Sequence, residues 1–66
     1  MPDHLRLLLS NQEYRVLAGS LAGKNFRQIA TELSLSESTV KTYMRRIYEK
    51  MGVKDKKQLF EILSNL

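Results

Sequence analysis

The stretch FRQIATELSLSESTVKTYMRRIYEKMGV, residues 26–53, decides the fold of this 66-residue chain. Its second half has one apolar side: Val40, Met44, Ile47 and Met51 fall at i, i+4, i+7 and i+11 and form a single stripe along a helix. The opposite side carries Ser38, Thr42, Arg45, Arg46 and Glu49, with Lys41 on its edge. Ahead of it, Phe26, Ile29, Ala30 and Leu33 recur at helical spacing, until Ser34-Leu35 interrupts them as a turn. The segment therefore reads as a short helix, a tight turn and a longer helix. Its apolar side faces inward, and its basic, hydroxyl-rich side is left free.

Capping chemistry extends the reading in both directions. Ser36 caps the longer helix, with Glu37 in the first turn where the helix dipole favours an acid, and Gly52 closes it. Asn25 with Gln28 opens the short helix. Ser10 with Glu13 forms a capping box, Leu9 and Tyr14 are placed as a hydrophobic staple, and Gly23 ends the helix that follows. Asp55 with Gln58 opens a last helix whose core stripe would be Leu59, Ile62, Leu63 and Leu66, with Phe60 off the stripe. The only proline is Pro2, so no helix interior is broken. No stretch alternates as a strand would. The expected fold is all-α, with four helices near residues 11–22, 26–33, 37–51 and 56–65. Residues 10–66 form the domain, and residues 1–9, with the apolar Leu5, Leu7, Leu8 and Leu9, are read as an arm or the remnant of an upstream linker.

Composition excludes several classes of function. A chain this short buries only about 60% of its unfolded surface, which leaves little room for a deep substrate pocket. With no cysteine, neither disulfides nor a cysteine-based zinc site can staple it. His4 has no partner at metal-ligand spacing, and no carboxylate pair shares a helix face with a nucleophile. No enzyme, metal or cofactor is expected. The apolar run Leu7-Leu8-Leu9 is far too short to span a bilayer, and Asp3 and Arg6 spoil a signal peptide, so a cytoplasmic chain is expected. Net charge is +4, and it is local: residues 36–58 hold seven Lys or Arg against three acids. A basic balance of this kind favours a polyanionic partner, although a solvated lysine-rich face would look the same by charge alone.

The free face of the longer helix narrows the choice. Lys41, Arg45 and Arg46 can donate to guanine O6 and N7 or to phosphate oxygens, and Thr42 can touch a thymine methyl. Ala30 is the small residue needed where two helices cross closely, with Leu33, Leu35 and Val40 filling the angle between them. Ser36, Ser38 and Thr39 crowd the start of the second helix, where amide groups and hydroxyls can meet a phosphate. The same hydroxyls also make a good helix cap, so both readings stand.

With that face identified, the chain from Leu9 onward resembles the LuxR/GerE family of bacterial helix-turn-helix domains. The resemblance is carried by Ser10, Glu13, Val16-Leu17, Gly23, Ile29-Ala30, Leu33, Ser36-Glu37, Thr39-Val40-Lys41-Thr42, Ile47, Lys50, Gly52-Val53 and Leu59. It implies a four-helix domain that binds double-stranded DNA as the output module of a transcription regulator, with the third helix in the major groove. Carried over by position, Lys41, Thr42 and Arg45 would face bases. Ser36, Ser38, Thr39, Arg46 and Lys50 would lie along the DNA backbone. The family commonly dimerises through the fourth helix, which points to Lys57, Phe60 and Glu61 as homodimer contacts, and RNA polymerase is a further partner open to such a regulator. Four residues depart from the family pattern. Gln28 stands where Glu is usual, Tyr43 where His is frequent, and Gly19-Ser20 where an apolar pair is usual, the glycine weakening its helix by roughly 1 kcal/mol.

Two other readings share part of the pattern. A sigma-factor-like promoter-recognition region has the same IA…L…S…TVK core but is not expected to carry the YEKMGVKDKKQLF tail. A helix-turn-helix used only for protein contact predicts a neutral, apolar outer face on the third helix.

Overall fold

Each helix begins where a short polar side chain can take up an orphan backbone N–H. The computed structural model describes residues 9–65 and holds four helices: α1 (Asn11–Leu21), α2 (Phe26–Leu33), α3 (Glu37–Met51) and α4 (Lys56–Ser64). The Glu13 N–H donates to Ser10 Oγ at 3.2 Å while the Ser10 N–H donates to Glu13 Oε1 at 2.8 Å, completing the capping box of α1. Asn25 and Gln28 repeat the arrangement on α2. Ser36 Oγ accepts the Thr39 N–H at 3.1 Å, and Asp55 Oδ1 accepts the Gln58 N–H at 2.9 Å. No strand occurs among the described residues. His4, Leu5, Leu7 and Leu8 of the expected arm, and Leu66 of the α4 stripe, lie outside them.

The first three helices end alike. After α1, the Lys24 N–H reaches back to Gly19 O and Gly23 takes φ +85°. After α3, the Val53 N–H reaches Tyr48 O and Gly52 takes φ +70°. These are Schellman closures, which need a left-handed residue and favour glycine. After α2 the Leu35 N–H reaches Ala30 O at 2.8 Å, but the left-handed residue is Ser34, at φ 57° and ψ 42°. A serine there costs roughly 1–2 kcal/mol relative to a residue without a Cβ. It is the one non-glycine residue with positive φ among those described.

Leu9, Val16, Leu17, Ile29, Ala30, Val40, Met44, Ile47, Val53 and Leu59 form the core. Helices α1 and α2 pack on each other and both pack on α3. The α4 helix is attached through Leu59, its one buried residue among those described. Two expectations are corrected here. Phe26, expected inward, is exposed. It stands one turn ahead of the buried Ile29 and Ala30, where it borders a groove of about 250 Å³ shared with Ser20, Lys24, Asn25, Tyr48 and Lys56. Ile62, expected in the α4 core stripe, is as exposed as Phe60. Only a narrow arc of α4 meets the rest of the domain, and Leu59 with half-buried Leu63 fills it.

Gly19 also changes meaning. A Cβ there would lie 2.9 Å from Ile29 Cγ1, so α1 and α2 approach more closely than an alanine allows. The departure from an apolar pair is thus a packing solution, and the neighbouring Ser20 is itself buried.

Candidate nucleic-acid interface

One side of α3 builds the core and the other stays free of it. Val40, Met44 and Ile47 are buried, while Lys41, Arg45 and Arg46 on the same helix are exposed. The ion pairs among the described residues, Lys24 with Glu32 and Lys50 with Glu13, leave those three cations without a carboxylate partner. Thr42 is half-buried, and its hydroxyl donates to Ser38 O at 3.1 Å. That bond to the preceding turn commits its proton and leaves the oxygen as an acceptor.

At the start of α3 the three hydroxyls come together. Ser36 Oγ lies 2.8 Å from Thr39 Oγ1 and 3.1 Å from Ser38 Oγ, besides accepting the Thr39 N–H. On one flank of the helix, the Arg46 guanidinium carbon sits 5.8 Å from the centre of the Tyr43 ring.

Lys50, expected beside the DNA backbone, is held by Glu13: its Nζ donates to Glu13 Oε1 at 2.6 Å across 37 residues of sequence. Glu13 is buried, and burial works to raise its pKa. The Lys50 ammonium, the Ser10 N–H and the Ser10 hydroxyl outweigh that and hold the carboxyl below the ordinary glutamate range. Lys50 thereby ties the C-terminal turn of α3 to the start of α1. Patterns local to one helix do not reveal this pair, whose members lie 37 residues apart. A signal existed, since Glu13 precedes Val16 and Leu17 by three and four residues and so lies on the core side of α1, where an acid needs a cation. Tyr48, half-buried on α3, has its phenol pushed above the usual value by burial and then by the Asp55 carboxylate, so it is neutral at pH 7.

Lys57, Phe60 and Glu61 are all exposed on α4. Phe60 carries the Lys56 ammonium 5.4 Å from its ring centre and lines a shallow depression with Leu21, Leu63 and Ser64. Among the described residues, no group of three or more His, Asp or Glu is placed to hold a metal, and no helix is long and apolar enough to cross a membrane.

Two helices joined by a tight turn, the second with a free cationic face, backed by flanking helices, define a helix-turn-helix domain of regulatory type. The chain belongs to the luxR family of bacterial regulatory proteins, whose family model matches residues 7–63. It is 40% identical over 52 residues to a probable HTH-type transcriptional regulator, GfsR, of Streptomyces halstedii, covering 79% of this chain and 21% of that protein. It is 45% identical over 49 residues to a probable transcriptional regulatory protein, NarL, of Mycobacterium tuberculosis, covering 74% of this chain and 23% of the relative. A more distant likeness, 33% over 58 residues, is to the HTH-type transcriptional regulator MalT of Vibrio campbellii, covering 88% of this chain and 6% of that regulator. The chain therefore spans less than a quarter of the length of these relatives. No solved structure matches it significantly.

Proposed function

We propose that this domain binds double-stranded DNA as the output module of a bacterial transcription regulator, in the cytoplasm, with α3 in the major groove. The observation that carries the reading is the unpaired cationic face of Lys41, Arg45 and Arg46 on a helix whose other side is core. At 1.5 Å per residue α3 is about 22 Å long, enough to lay its first half in a groove about 12 Å wide. Lys41 and Arg45 donate to base edges. Thr42, its proton already given to Ser38, accepts from an exocyclic amine or packs its methyl on thymine. Ser36, Ser38 and Thr39, with the first-turn N–H groups of α3, meet one phosphate run, and Arg46 meets phosphate from the flank. Lys50 we assign to holding α3 on α1. Support for a homodimer on DNA comes from α4, where Phe60 and Ile62 are exposed beside Lys57 and Glu61.

Fluorescence anisotropy with duplexes selected from a random pool tests the function. Because neutralised phosphates release their counterions, affinity should fall steeply between about 50 and 200 mM salt. Arg45→Ala should weaken binding by about 1–3 kcal/mol on the selected site and relax preference at one base position. Salt-independent affinity, or failure to enrich any duplex, refutes the reading.

A further inference from the structure

We infer that Tyr43 is a positioning residue for Arg46, holding its guanidinium where a DNA phosphate will lie; the inference rests on the DNA-binding reading above. Tyr43 is half-buried and packed against the core, so its ring is a fixed surface. Arg46 is exposed one turn further along α3, with its guanidinium carbon 5.8 Å from that ring's centre. A planar cation over an aromatic face at this separation is attracted by the ring's quadrupole. The guanidinium also stacks as an ammonium cannot.

The surroundings single out this cation. Thr39, Tyr43, Arg46 and Lys50 follow one another at spacings of four, three and four, and so share one flank of α3. Thr39 Oγ1 is engaged with Ser36 Oγ, and Lys50 with Glu13, which leaves Arg46 as the charge on that flank not held by a carboxylate. Lys41 and Arg45 have no aromatic platform among the described residues. The face thus divides into cations without a platform, suited to adapting to base edges, and one pre-placed cation suited to a fixed phosphate. Ordering a long side chain is a cost that binding otherwise bears. Stacking on Tyr43 bears it in the free protein.

A double-mutant cycle tests this with wild type, Tyr43→Leu, Arg46→Ala and the double variant, together with Tyr43→Phe. Leucine keeps an apolar filler at a half-buried site, and thermal melts check that each variant folds. Tyr43→Leu should weaken duplex binding about two- to fivefold, the loss expected for an exposed cation–π contact. The loss should be equal on preferred and scrambled duplexes, because the contact is to phosphate. Tyr43→Phe should bind as wild type does. In the Arg46→Ala background Tyr43→Leu should change nothing further. A loss of the same size with and without Arg46 overturns the inference and makes Tyr43 merely structural. A loss in Tyr43→Phe equal to that in Tyr43→Leu overturns it in favour of a direct contact by the phenol. A protein-only measurement separates this idea from the DNA reading: the Arg46 side-chain protons should show a ring-current shift in the NMR spectrum that vanishes in Tyr43→Leu. If no such shift exists, the platform is absent whatever the domain binds. If the shift exists and the wild type binds no duplex, it is the functional reading that fails.

Discussion

Replacing Gly19 with alanine sets two well-scaled effects against each other. In an ordinary helix interior the change is favourable by about 1 kcal/mol, since alanine has the higher helix propensity and restricts the unfolded chain. Here the new Cβ would lie 2.9 Å from Ile29 Cγ1, 3.4 Å from Cδ1 and 3.7 Å from Cγ2. Ordinary carbon contacts begin near about 3.5 Å, so the closest atom must retreat by about half an ångström or more. Cγ1 lies next to the Ile29 backbone, and Ile29 is 1% exposed between α1 and α3, so the retreat moves α2 itself. Overpacking of this kind costs about 1–3 kcal/mol. The net expectation is a loss of about 1 kcal/mol, read as a fall in melting temperature of roughly 4–8 °C for a domain of this size. Urea titration followed by far-ultraviolet circular dichroism gives the same quantity as a lowered midpoint at constant slope. A variant more stable than wild type would show that helix propensity prevails, and the close approach of α1 and α2 would not be what requires glycine.

The Glu13–Lys50 pair gives a pH dependence. Because the folded carboxyl is held below its ordinary value, its contribution to stability is fully present above about pH 4.5 and is lost as pH falls through the folded value. Glu13→Gln should therefore flatten the acid limb of a stability–pH curve between pH 7 and 3, and an unchanged limb would show that other carboxylates govern it. At the α2–α3 turn, Ser34→Gly should stabilise the domain by about 0.5–1 kcal/mol, the relief of left-handed strain less the glycine's unfolded entropy; a destabilised variant in the same urea assay refutes the strain. On α4, Phe60→Asp should leave the monomer's melting curve in place while abolishing the dimer on DNA, and sedimentation with an intact dimer removes Phe60 from that contact.

The helix limits were legible because caps are local: Ser10 with Glu13, Asn25 with Gln28, Ser36 with Thr39 and Asp55 with Gln58 all act within three residues. The inward side of α3 was legible for a related reason, since side chains at i, i+4 and i+7 must share a face whatever they meet. What periodicity does not carry is whether anything lies opposite that face. Phe26 and Ile62 both sit at inward-reading positions and both are exposed, because among the described residues the first turn of α2 and one edge of α4 are only partly covered by their neighbours. Serine is not a signal for positive φ, so the conformation of Ser34 was hidden inside a turn read correctly in outline.

The same distinction reorganises the candidate site. From the sequence, eight residues of α3 and its cap form one nucleic-acid face, three toward bases and five along the DNA backbone. In the fold, its two ends are engaged by the protein itself. Ser36 Oγ accepts the Thr39 N–H at the N-terminal end, and Lys50 Nζ holds Glu13 at the C-terminal end. Both contacts fix α3 along its own length: the first closes its opening turn, and the second fastens its last turn to α1. Lys41, Arg45 and Arg46 lie between those fastenings, and no carboxylate among the described residues pairs with them. A helix free along its whole length would have to be ordered by its partner, at a cost in affinity. One held at both ends presents its middle turns already in place, and binding energy can then go into the contacts of those turns.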